Sequence, residues 1–127
     1  MTAERSAVFR EPVRTAIGTF GGSIRNMAAP EVRLTPTPSR APGHVSVMIQ
    51  SEGQSAVITG DIAHHPCQMA HPEWATSFDS DTQVATATRA KLFAEWADQP
   101  ILVIGTHYAA PTAGHVKRDG AAFRFEV

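Results

Sequence analysis

The sequence predicts an α/β domain, and three observations carry that reading. Two β-rich runs, Val45-Ser-Val-Met-Ile-Gln50 and Ala56-Val-Ile-Thr59, flank the short polar stretch Ser51-Glu-Gly-Gln54 and form a hairpin. A segment opened by Asp79 or Asp81 and running to about Asp98 has the spacing of a helix. The wholly apolar Ile101-Leu-Val-Ile104, just after Pro100, reads as a buried strand. At 127 residues, with 43% apolar and 18% charged side chains, the chain has the make-up of one globular domain.

Taken in order, residues 1–31 hold one short apolar stretch (Ala7, Val8, Phe9) and a glycine-punctuated run ending at Gly21 and Gly22, which suits turns and makes a poor domain alone. From Leu34 to His44, Pro36, Pro38 and Pro42 fix φ and remove donors, so this passage is neither helix nor central strand. It reads as an ordered loop or a junction. Asp61 stands just past the second strand of the hairpin, and the irregular stretch from Asp61 to Asp81 holds three histidines and Trp74. On the helix, Val84, Ala87, Ala90, Phe93 and Ala94, with Lys91 among them, give one expected apolar side. The buried strand ends at Gly105-Thr-His107. Val116 to Lys117 and Phe123 to Val127 then form a terminal hairpin about Asp119-Gly120, a strong turn pair. Trp74 and Trp96 are expected to pack.

Eleven basic and twelve acidic residues give a net charge of −1, so no basic field draws the chain to nucleic acid or to an anionic membrane. No apolar run approaches the roughly 20 residues of a spanning helix, and no signal-like apolar core opens the sequence; a cytoplasmic protein is expected. A single cysteine, Cys67, excludes an intrachain disulfide and a cysteine-rich zinc site. Any metal must rest on histidine and carboxylate.

The chemistry-bearing signal is the crowding of His64, His65 and His71 just after Asp61, in a chain with six histidines. Imidazole and carboxylate suit borderline divalent ions, and loops at strand ends can aim several at one point. By spacing alone, Asp61-x-x-His64-His65 also fits surface histidines and a polar residue ending a strand. Other sites have less behind them. Gly18 to Gly22 lacks the Lys-Ser/Thr pair of a phosphate loop, and no elbow sequence surrounds Ser46 or Ser77. Cys67 paired with His64 or His65 has no visible third group to orient it.

Several ordered motifs add a resemblance. Pro42-Gly-His-Val-Ser46, Thr59-Gly-Asp-Ile-Ala-His-His-Pro66 with Gln68, Pro72-Glu-Trp74, Phe78-Asp-Ser-Asp81 before a helix with Arg89, and Gly105-Thr-His107 resemble the C-terminal half of metallo-β-lactamase-superfamily hydrolases. The branch of methyl parathion hydrolases and related lactonases is the most similar. The resemblance spans residues 32–127. It implies that Asp61 bridges metal ions and that His107 binds one of them. Residues 1–31 resemble instead the N-terminus of a thiolase, through Val13-Arg-Thr-Ala-Ile-Gly-Thr-Phe-Gly-Gly-Ser23, without any thiolase catalytic motif, as in a fusion with its junction near Glu31 and Val32.

The sequence also departs from the family. Its H-x-H-x-D-H motif is absent, and Arg40 stands where relatives carry another metal-binding histidine. The resemblance therefore implies half of an αβ/βα sandwich, with the exposed sheet face covered by homodimerisation. Only Asp61 and His107 keep their family places, and pairing of two copies is expected to bring His64 and His65 beside them in a His/Asp centre, shared between chains, that holds one or two zinc ions. Hydrolysis of an activated ester, a phosphotriester or lactone, is the expected activity, with Asp61 and His107 catalytic and His44 and His115 in supporting or structural roles. The competing expectation is an inactive folded remnant, or a metal-binding module without turnover.

Overall fold

The computed structural model describes residues 31–39 and 41–127. Residues 1–30, which hold the thiolase-like stretch, and Arg40 lie outside them.

Among the described residues, six strands form one sheet in sequence order: β1 (Glu31–Pro36), β2 (Val45–Ser51), β3 (Gln54–Ile58), β4 (Ile101–Ile104), β5 (Ala113–Asp119) and β6 (Ala122–Glu126). Neighbours are antiparallel except β3 and β4, which run parallel and are linked through two helices, α1 (Cys67–Ala70) and α2 (Thr82–Trp96). The expected hairpin is present. Ser51 pairs with Gln54, leaving Glu52 and Gly53 as its loop at φ 52° and 77°, the double left-handed geometry whose twist matches paired strands. In the last hairpin Asp119 pairs with Ala122, so the loop is Gly120-Ala121 and not the expected Asp119-Gly120. Glycine, at φ 62°, takes the first loop position. The proline-rich passage is part strand: β1 runs to Pro36 at the sheet edge, where a missing N–H costs no ladder bond.

Helix α2 starts where Asp81 Oδ1 accepts from the N–H groups of Gln83 and Val84, both at 3.0 Å. Its buried face is Ala85, Arg89, Leu92, Phe93 and Trp96, which corrects the expected one in all but Phe93. Val84, Ala87, Ala90 and Ala94 are exposed. The alanines favour the helix by propensity, and a buried arginine occupies the middle of the face that packs. Arg89 is 0% exposed: Nε donates to Pro72 O (2.8 Å), and one terminal nitrogen to Ile62 O (3.3 Å) and Asp79 Oδ2 (3.2 Å). It ties down both ends of the stretch that contains His64.

The core joins Leu92, Phe93 and Trp96 to Val57, Val103 and Val116 of the sheet and to Ile62, Met69 and Tyr108. Because strand side chains alternate, the facing set (Val47, Ile49, Ile58, Leu102 and Ile104) points away from α2, and none of it joins that core. Val45 and Leu102 are each 37% exposed, so this second apolar face is open among the described residues. No helix of the described residues is long and apolar enough to cross a membrane.

Candidate metal centre

The parallel pair β3 and β4 sets the site. Ile58 and Ile104 are register partners at the carboxyl ends of these strands, and Asp61 and His107 follow them at equal chain distance. Loops beyond the carboxyl ends of adjacent parallel strands are where open α/β sheets gather functional groups. Two threonines lock the loops together: Gly60 N–H donates to Thr106 Oγ1 (3.0 Å), and Thr106 N–H to Thr59 Oγ1 (3.3 Å). Each closely precedes a candidate site residue, in Thr59-Gly-Asp61 and Thr106-His107, a parallel the sequence displays but does not explain.

Asp61 lies in a short 3-10 turn, Gly60–Ile62, at φ −91°, ψ 21°, outside regular helical geometry. Its Oδ1 is 2.7 Å from His107 Nε2, with the side chains 28% and 39% exposed. The ring of His64 stacks on that of His107, centroids 4.5 Å apart and planes within 17°. One ligand atom from each of Asp61, His64 and His107 lies within 4.8 Å of the others. One carboxylate and two imidazoles at that separation fit the donor set of a catalytic zinc ion, which takes three protein ligands and keeps one position open.

His64 is placed by Gln68, whose buried side chain accepts from the N–H groups of His64 (2.7 Å) and His65 (3.3 Å) and donates to Trp74 O (2.7 Å). The other expected residues fall elsewhere. His65, also expected to bind metal, is exposed, stands outside the three-residue group, and accepts the Cys67 N–H at 3.1 Å through Nδ1, which closes the start of α1. His71 stacks on Trp74, centroids 4.2 Å apart, and pairs with Glu73 at 3.1 Å. Trp74, expected to pack, is 51% exposed, whereas Trp96 is buried. His115 bonds Ile101 O at 2.9 Å, a structural role.

Beside His107, Tyr108 is 5% exposed, and burial first, then Cys67, pushes its hydroxyl well above the ordinary tyrosine range. It stays protonated. Glu73 is shifted down by a bond to its own backbone and by His71.

No protein-family model and no curated protein matches the chain. Solved structures do. AidC, a dizinc quorum-quenching lactonase, matches with a TM-score of 0.70 and 26% identity over 75% of this chain and 33% of its own. The hydrolase AbOPH, of the beta lactamase superfamily, matches with a TM-score of 0.69 and 30% identity over 74% and 33%. The chain carries a partial metallo-β-lactamase-like fold. A probable metal-dependent hydrolase from Staphylococcus aureus shares it, with a TM-score of 0.64 and 21% identity over 77% and 36%. The chain spans about a third of the length of these structures.

Proposed function

We propose that the chain is a metal-dependent hydrolase of activated esters whose centre is Asp61, His64 and His107, holding zinc. The observation that carries this reading is the convergence of those three side chains beyond the paired strands β3 and β4. A divalent ion there supplies a water acidic enough to attack near neutral pH and a Lewis acid for the ester oxygen. Asp61 contributes a carboxylate whose negative charge offsets that of a cation. His107 Nε2, 2.7 Å from Asp61 Oδ1, is the atom it would offer to an ion, as a neutral imidazole. His64 completes three donors.

The substrate class we propose is a lactone, by likeness to AidC, with phosphotriesters as the second class to try. A second copy of the chain is the proposed cover for the apolar face carrying Ile58 and Ile104, because an open sheet face of this kind is unstable in water. Both residues lead directly to the centre, and we propose that pairing on this face brings two centres to one interface, where they share one or two ions.

The test is hydrolysis of an N-acyl homoserine lactone and of an aryl phosphotriester by full-length protein, before and after chelation and zinc readdition. Zinc-dependent turnover of the lactone, lost in Asp61→Ala, is expected. Stoichiometric zinc with no turnover of either substrate would leave a metal-binding module, and neither binding nor turnover would leave an inactive remnant.

A further inference from the structure

We infer that His44 is a positioning residue for this centre, gripping the backbone of Asp61 and thereby fixing where its carboxylate stands. His44 Nε2 lies 2.7 Å from Asp61 N. A backbone amide can only donate, so Nε2 must be the bare, accepting nitrogen. On the other side of the ring, Nδ1 lies 2.8 Å from Thr37 O, a carbonyl that can only accept, so Nδ1 carries the proton. Two one-way partners leave the imidazole one neutral tautomer.

The ring is itself held by a directed chain of buried hydrogen bonds. Ser46 Oγ donates to Thr59 O (2.9 Å), which frees its oxygen to accept from Thr37 Oγ1 at 3.0 Å. Thr37 Oγ1, its proton so committed, faces His44 Nδ1 at 2.9 Å with a lone pair. Thr37, Ser46 and Thr59 are 1%, 1% and 0% exposed, so water does not compete for these bonds. The chain therefore closes on itself, from Asp61 N through His44, Thr37 and Ser46 back to Thr59, at the root of the loop that carries Asp61.

Two further observations show that the backbone here is shaped around the ring. Gly60 has φ 62°, and a Cβ built on it would lie 2.5 Å from His44 Nε2, so the imidazole occupies the space of a side chain at position 60. Asp61 itself departs from helical φ/ψ inside its short 3-10 turn, and its carbonyl accepts from Ser39 Oγ at 3.3 Å. The passage from Thr37 to His44 thus grips the Asp61 residue from its N–H and its C=O. Ligand supports of the usual kind act on the ligand's side chain; this one acts on its main chain.

The inference rests on the reading that Asp61 holds an ion, and the two are tested separately. In metal-free, full-length protein, long-range proton–nitrogen spectra of the histidine rings should show His44 protonated on Nδ1, with Nε2 scalar-coupled to the Asp61 amide nitrogen. A proton on Nε2 overturns the inference whatever the metal does. For the second arm, zinc affinity is measured by competition with a chromophoric chelator. His44→Phe, which keeps a ring but no acceptor, should weaken binding about 10- to 100-fold. His44→Gln, whose carbonyl reaches the Nε2 position, should recover most of that loss. Cobalt substitution should give an altered visible spectrum in His44→Phe and a near wild-type one in His44→Gln, a difference that a purely structural histidine does not produce. Wild-type zinc affinity in a folded His44→Phe overturns the inference. Should His44→Phe fail to fold, the ring spectra and His44→Gln decide. A wild-type chain that takes up no zinc refutes the functional reading, and the ring spectra still judge the grip on Asp61.

Discussion

Replacing Arg89 with methionine removes one partner of a buried ion pair and leaves the volume largely filled. The Arg89 and Asp79 side chains are both 0% exposed, 3.2 Å apart. Breaking such a pair from one side costs about 3–5 kcal/mol, because the remaining charge stays buried. Two features place the loss at the lower end. Asp79 keeps bonds from Thr76 N (3.2 Å) and Thr76 Oγ1 (3.1 Å), and the second terminal nitrogen of Arg89 has no partner among the described residues. Losing about 3 kcal/mol is a large share of the roughly 5–15 kcal/mol that holds a domain together. It corresponds to a fall of roughly 10–20 °C in melting temperature. Urea unfolding followed by circular dichroism and by tryptophan fluorescence measures it. Adding Asp79→Ala to Arg89→Met should restore part of the stability, since no charge then remains buried. A loss below about 1 kcal/mol, the range of an exposed pair, or a double variant weaker than both singles together, would refute the assignment.

Other consequences are testable. Gly60→Ala should lower stability by about 1–3 kcal/mol, from the left-handed φ of 62° and the 2.5 Å approach to His44 Nε2; unchanged thermal unfolding would show that the ring does not sit there. Tyr108, the one tyrosine of the chain, has its folded pKa raised. Its contribution is therefore complete below about pH 10 and is lost as pH rises toward the folded value, because the unfolded chain releases its proton first. Tyr108→Phe should flatten that alkaline decline, and parallel pH–stability curves for the two proteins would contradict the burial argument. If a second copy covers the open sheet face, light scattering should give a dimer mass at micromolar concentration, and Ile58→Lys should yield monomer or aggregate. A well-folded wild-type monomer would exclude that cover.

Much of the fold was legible because period and punctuation agree: Glu52-Gly53 between β-rich runs, Asp81 ahead of a helix, and four apolar residues after Pro100 all became what they read as. The helix face was misread, because pattern arguments weigh apolarity. Arg89 is buried by virtue of its carbonyl and carboxylate partners, which are tertiary contacts no local pattern reveals. In the site, the position of Asp61 and His107 just past apolar strands also fits plain polar residues ending strands, and only the family resemblance singled them out. Choosing between His64 and His65 required the structure, since adjacent residues leave a loop in different directions and only Gln68 and α1 decide which one turns inward. The proline-rich passage was read as an ordered loop or a junction. Its role came from His44 and Ser39 reaching Asp61 across the fold, contacts that sequence distance conceals.

The most direct test of the centre is zinc binding by the full-length chain, stripped with chelator and titrated calorimetrically near neutral pH. Tight binding is expected, abolished by Asp61→Ala and by His107→Ala and weakened by His64→Ala, with His65→Ala close to wild type. Zinc affinity unchanged in both Asp61→Ala and His107→Ala would contradict the proposed centre.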